Sequence, residues 1–158
     1  WSMLKESKPT NDQLVYIMEY CPDGDLKNAA WSMLKESKPT NDQLVYIMRW
    51  CHDGDLKNAA HEKLRISVGA KPIDEKKLIR KIAESVLERP GSLKMTSWHC
   101  GTTHCLYGFG CVLDEEAMRI EEAFSTKIAG AVALPSYIHL INADNETVLK
   151  VLEEIVKN

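Results

Sequence analysis

A chain of 158 residues, 44% of them hydrophobic, is long enough for one compact domain or two small ones sharing a core. A net charge of −3 argues against a general polyanion binder and so against nucleic acid as a partner; no apolar run reaches the roughly 18 residues that a membrane span needs. The five cysteines are odd in number and irregular in spacing, so they form no disulfide framework and fit a reducing, cytoplasmic setting.

Residues 1–30 recur as 31–60 with three changes: Glu19/Arg49, Tyr20/Trp50 and Pro22/His52. A fixed period of this length marks stacked helical units, none of which can bury its apolar side alone. The unit is best read from Thr10. There Thr10 or Asn11 is placed to cap a first helix, with Asp12 at the positive end of its dipole. Leu14, Ile17, Met18 and Cys21 follow at i, i+3, i+4 and i+7, one apolar stripe. A strand over Leu14–Met18, apolar and partly β-branched, is the competing reading. Pro22-Asp23-Gly24-Asp25 breaks the helix, with Gly24 as a permissive turn residue and Asp25 as the next cap. Leu26, Ala29, Ala30, Met33 and Leu34 make a second stripe, and Pro39 closes the unit. Each unit is thus a helical hairpin, with about eleven residues in one arm and about fourteen in the other.

The fold class expected is all-α, an α-solenoid of such hairpins over residues 1–69 closed by a C-terminal helical domain over 70–158. The second unit loses the consensus after Ala60, and Leu78, Ile79 and Ile82 after Lys71-Pro72 predict a degenerate third first helix. Trp1 is the counterpart of Trp31, within a second helix. The chain as written therefore begins inside a repeat, which predicts an exposed apolar N-terminal end and self-association through it. Cys21 and Cys51 are repeat equivalents about 10 Å apart, too far for a disulfide.

The residues that open the second helix carry a resemblance. Asp25, Leu26, Lys27, Ala29 and Ala30, repeated as Asp55, Leu56, Lys57, Ala59 and Ala60, make the unit similar to short helical repeats of the HEAT and leucine-rich-repeat-variant type. That resemblance covers residues 1–69. It implies a scaffold for protein–protein interaction and assigns no catalytic residue. Ile17–Leu26 also resembles the hinge segment of protein kinases, but the glycine-rich loop, paired lysine and catalytic-loop motifs of a kinase are absent.

After Leu93 the character changes. Trp98-His99-Cys100-Gly101-Thr102-Thr103-His104-Cys105 is dense in soft metal ligands, and it resembles uncharacterised bacterial segments found beside repeat arrays, a likeness that implies no activity. A helix over Thr103–Leu113 is predicted, capped by Thr102, with Leu106, Phe109 and Leu113 inward. Gly108 and Gly110 inside it each cost about 1 kcal/mol relative to alanine, so some neighbour is expected to approach closely. Helices over Glu115–Ser125, Lys127–Leu134 and Glu146–Lys157 follow, the last capped by Asp144 or Asn145, with Val148, Leu149, Leu152, Ile155 and Val156 inward.

Two candidate sites emerge. Tyr16, Tyr20, Tyr46 and Trp50 form an aromatic ladder along one side of the repeats, the residue type enriched in binding hot spots. His99, Cys100, His104 and Cys105 are the thiolate and imidazole donors that zinc selects in sets of four, with Cys111 or His139 as outside help. Cys100 or Cys105 paired with His99 or His104 is the corresponding nucleophile reading, for which the sequence offers no orienting carboxylate. The competing structural reading places Trp98 and the cysteines in the core and has the histidines bonding a turn. The function expected is a non-catalytic scaffold that binds a protein partner and needs no cofactor. The alternative is a zinc-binding or cysteine-dependent enzyme domain at 95–113 that uses the repeats as a handle.

Overall fold

The structure, a computed structural model, describes residues 8–158. The expected open apolar end of the repeats falls on residues 1–7 and lies outside the described residues. The fold is all-α, and its contacts divide into two compact units, one ending at Ser67 and one running from Val68 to Asn158.

The N-terminal unit holds two hairpins, α1 (Asn11–Tyr20) with α2 (Gly24–Glu36), and α3 (Asn41–Trp50) with α4 (Gly54–Val68). Each first helix starts with the same capping box. Thr10 Oγ1 accepts from the Gln13 N–H at 3.2 Å while Gln13 Oε1 accepts from the Thr10 N–H at 2.9 Å. Thr40 and Gln43 repeat this at 3.1 and 2.9 Å, so two orphan donors are met at each start. The second helices are capped by Asp23 and Asp53, not by Asp25 and Asp55 as expected. Asp23 Oδ1 accepts from Asp25 N at 2.9 Å and Leu26 N at 3.3 Å, and Asp53 does the same for Asp55 and Leu56. Gly24 is therefore the first residue of α2, and it is Lys8 and Lys38, each just before a proline, that take left-handed backbone here, at φ 47° and 57°.

Leu14, Val15 and Met18 of α1 are buried, and Leu44, Val45, Ile47 and Met48 of α3. Of the second expected stripe, Ala30 and Leu34 are fully buried. A repeated tie closes each hairpin: the Ser37 hydroxyl donates to Asn11 Oδ1 at 2.6 Å, and Ser67 to Asn41 Oδ1 at 2.6 Å. Further bonds join the copies. Asn11 Nδ2 and Gln43 share one at 3.3 Å, Gln43 Nε2 donates to Asp12 at 3.2 Å, and the buried Cys51 thiol donates to the Met18 carbonyl at 3.4 Å. Cys21 and Cys51 are both free.

The C-terminal unit comprises α5 (Glu75–Glu88), a two-stranded hairpin of β1 (His99–Cys100) and β2 (Thr103–His104), α6 (Leu106–Leu113), α7 (Glu115–Ala123), α8 (Thr126–Ala133), a 3-10 turn (Pro135–Leu140) and α9 (Asn145–Lys157). α6 is the centre, in contact with α5, α7 and α8, while α5 also packs on α9. The expected Leu78, Ile79 and Ile82 of α5 are buried there with Leu106, Tyr107, Phe109, Leu134, Val148 and Leu152. Asp144 is the cap of α9, accepting from Thr147 N at 2.8 Å.

The helix expected from Thr103 begins only at Leu106, and Cys105, not Thr102, caps it: its sulfur accepts from the Gly108 N–H at 3.3 Å. Long-range pairing takes the three lost residues. His104 is held on one side by β1 and on the other by the 92–94 segment, its N–H donating to Ser92 O at 3.0 Å and its carbonyl accepting from Lys94 N at 2.9 Å. Gly101, at φ 62°, turns the hairpin as glycine readily does. The close neighbour expected at the helix glycines is Trp98, whose carbonyl oxygen would lie 2.0 Å from a Cβ at Gly108. Trp98 itself is not core, as the structural reading had it. Its ring is 41% exposed and stacks on Tyr107, centroids 6.5 Å apart.

Candidate functional site

On α1, Asp12, Tyr16, Glu19 and Tyr20 stand at i, i+4, i+7 and i+8, one face of a helix. Leu14 and Met18 point to the core instead, which leaves the tyrosines in water. The same face of α3 brings Asp42, Gln43 and Tyr46 alongside, and the two helices enclose a groove of about 410 Å3 with Val15 in its lining. Tyr16 and Tyr20 stand side by side along the wall, their rings tilted by 43° with centroids 4.7 Å apart. The Tyr46 hydroxyl crosses the groove and donates to Glu19 Oε2 at 2.6 Å, a short bond of the charge-assisted kind. That bond, with some burial behind it, pushes the Tyr46 hydroxyl up to about 12, and the Glu19 carboxylate also raises Tyr20.

Three of the four expected aromatic residues thus line one concavity. Trp50 does not line it: its ring lies 6.4 Å from Tyr46 and carries the Arg49 guanidinium 4.4 Å above its centroid. Asp12, Glu19 and Asp42 are the functional residues that the sequence reading missed. Their spacing from Tyr16 and Tyr46 at one helical turn was the available signal.

The second candidate site is the hairpin at His99–His104. Residues opposite each other in an antiparallel pair share a face, and their chain neighbours take the other face. His99 and His104 are such a pair, and their Nδ1 atoms meet at 2.7 Å, an N–H···N hydrogen bond. Glu121 of α7 holds the far nitrogen of His99, with its oxygens at 3.0 and 3.1 Å from Nε2. Burial, with His99 beside it, lowers the His104 pKa. Cys100 falls on the other side, exposed, with Lys94 Nζ 3.7 Å from its sulfur. Cys105 is buried as the cap of α6, and burial raises its thiol pKa. Cys111 is buried beside Glu121 and raised more strongly, again mainly by burial.

Of the four expected metal ligands the structure therefore brings together His99 and His104 and separates Cys100 and Cys105 from them. Among the described residues no group of three or more histidine, cysteine or acidic side chains is arranged to hold a metal ion. The carboxylate absent from the nucleophile reading is Glu121. It lies 22 residues from His99 in sequence, so no local pattern announced it, and it holds His99, not Cys100 or Cys105. What the His104–His99–Glu121 chain can do is pass a proton along one line.

Comparison with known families, curated proteins and solved structures finds no match. No helix among the described residues is long and apolar enough to cross a membrane.

Proposed function

We propose that this chain is a non-catalytic scaffold whose repeated half binds another protein through the groove between α1 and α3. The observation behind this reading is the exposure of Tyr16 and Tyr20, 63% and 60%, on a concave surface. Aromatic side chains supply large contact area at small entropic cost and dominate binding hot spots. The concavity gives them a shape that a protruding partner segment can fill. The HEAT-like reading of the repeat unit points the same way.

The test compares capture from a host lysate by the wild-type protein, by a Tyr16→Ser/Tyr20→Ser variant and by a Lys35→Ser control on the same unit. Proteins retained by wild type and control but lost from the double variant support the reading. An identical set retained by all three, with circular dichroism unchanged, overturns it. Light scattering across concentration separates self-association from a foreign partner.

His99 and His104 favour a second reading, a zinc site in the C-terminal unit. It supplies two imidazoles where structural zinc takes about four ligands, and for that reason the groove reading is preferred. Stoichiometric zinc in the purified protein, lost on His99→Gln, would reverse the preference.

A further inference from the structure

Resting on the interaction reading above, we propose that the occupant of the groove is an arginine-bearing segment of the partner protein, with its guanidinium against the Tyr16–Tyr20 pair and facing Glu19 and Asp12.

The charge of the lining argues for a cation. Asp12, Glu19 and Asp42 contribute three carboxylates, and among the described residues that line it there is no lysine, arginine or histidine. Glu19 and Asp12 keep acceptor capacity after the bonds they make within the protein, since one ionised carboxylate offers about four lone-pair sites. Glu19 spends one on the Tyr46 hydroxyl, and Asp12 one on the Gln43 amide. Gathered on one concave surface, the three carboxylates also add their fields at its mouth. An apolar or acidic segment would leave those carboxylates desolvated without a partner.

The repeat itself shows which cation suits the site. The two copies differ at three positions, and two of these, Glu19/Arg49 and Tyr20/Trp50, are adjacent in sequence, with Glu19 and Tyr20 in the lining of the groove. In the second copy Arg49 lies over the Trp50 ring at 4.4 Å, so that copy carries its own guanidinium on its own aromatic face. In the first copy the same backbone positions present a carboxylate beside an exposed tyrosine pair. The guanidinium-on-aromatic contact that the second copy makes internally is left in the first to be completed from outside. Arginine fits it better than lysine, because its planar fork both stacks on an aromatic face and bonds a carboxylate with two N–H groups. The groove, at about 410 Å3, is in the range of roughly 300–1,000 Å3 that encloses small ligands, room enough for one such side chain and its backbone.

The probe is a fluorescein-labelled nonapeptide with three arginines in a glycine–serine background, and the measurements are titration by anisotropy and amide shifts by NMR in low salt. The citrulline version of the same peptide keeps the shape and removes the charge. The expected result is binding that shifts the amides of Tyr16, Glu19 and Tyr20. It should weaken about tenfold with citrulline, weaken severalfold with lysine, and fall with added salt. Glu19→Gln and Tyr20→Ala should each weaken it severalfold, with helicity unchanged. Equal affinity for the citrulline peptide, or shifts confined to other acidic surfaces, overturns the proposal. So does a concentration-dependent dimer that buries the Tyr20 amide, which would make a second copy the occupant. The two readings fail separately. Partner capture that depends on Tyr16 and Tyr20 without arginine-peptide binding removes only the arginine. Arginine-peptide binding without any captured partner removes the scaffold role and leaves the cation site.

Discussion

Glu19 and Tyr46 are 27 residues apart in sequence and 2.6 Å apart in space, and the pair gives the repeat seam a titration of its own. The neutral hydroxyl is favoured because it donates to a carboxylate and because its ionised form would face that charge. The sign follows: a tyrosine whose pKa is raised on folding, from 10 to about 12, adds stability that is complete below pH 10. That contribution is lost as pH rises from 10 through 12. Glu19→Gln removes the carboxylate and is expected to return Tyr46 toward its ordinary value and to flatten the alkaline loss of stability. Carbon-13 NMR of labelled tyrosine rings would read the first effect, and urea midpoints at pH 8 and pH 11 the second. A Tyr46 titration unmoved by the variant would place the cause elsewhere. The sequence showed the four aromatic residues but not this bond, because a single copy of the repeat contains no hint of what its neighbour brings opposite position 19.

Elements built from local chemistry were legible, and those built by distant pairing were not. Thr10, Asp74 and Asp144 are side-chain caps beside amphipathic runs, and α1, α5 and α9 start where such residues permit. The β-hairpin hid because Thr103 and His104 also suit the start of a helix, and only the 92–94 segment and β1, contacts that no short window contains, draw them into extended form. The four expected metal ligands parted with it: crowding in sequence became alternation in space, and alternate residues of a strand face opposite ways. The glycines of α6 were legible as a question and are answered differently at each position. Gly108→Ala gains about 1 kcal/mol of helix propensity but puts a Cβ 2.0 Å from the Trp98 carbonyl oxygen, a backbone atom that cannot turn aside. Overpacking costs about 1–3 kcal/mol, so after the propensity gain a net loss of up to about 2 kcal/mol is expected. At Gly110 the nearest atom is a Leu134 methyl at 3.4 Å, an ordinary van der Waals contact, and Gly110→Ala should be neutral or slightly stabilising. Urea midpoints of the two variants check the contrast, and equal midpoints would sink it.

For the molecule as a whole, the sequence showed the period and the structure shows what the period joins. Bonds between the copies use residues that both copies possess in Asn11 and Asp12 with Gln43 and in Met18 with Cys51, but Glu19, bonded to Tyr46, belongs to the first copy alone. Position 49 is arginine, so the second copy could not accept a tyrosine hydroxyl as Glu19 does. A third copy must therefore be inserted on the Glu19 side. Duplicating residues 9–38 directly after Lys38 recreates the Lys-Pro junction and presents Glu19 and its duplicate to a tyrosine in each following copy. The inserted copy brings ten helical residues like α1 and thirteen like α2, and nearest-neighbour stacking makes each added seam a further increment of stability. The expected outcome is a larger far-ultraviolet helical signal, a higher urea midpoint for the repeat half and a steeper denaturant slope, since more surface is buried. The lengthened protein also gains a second groove with the same three carboxylates and paired tyrosines, so the arginine nonapeptide should bind at two sites in place of one. A lengthened chain that aggregates, or that gains helix without gaining stability, would show that the seam between copies does not propagate.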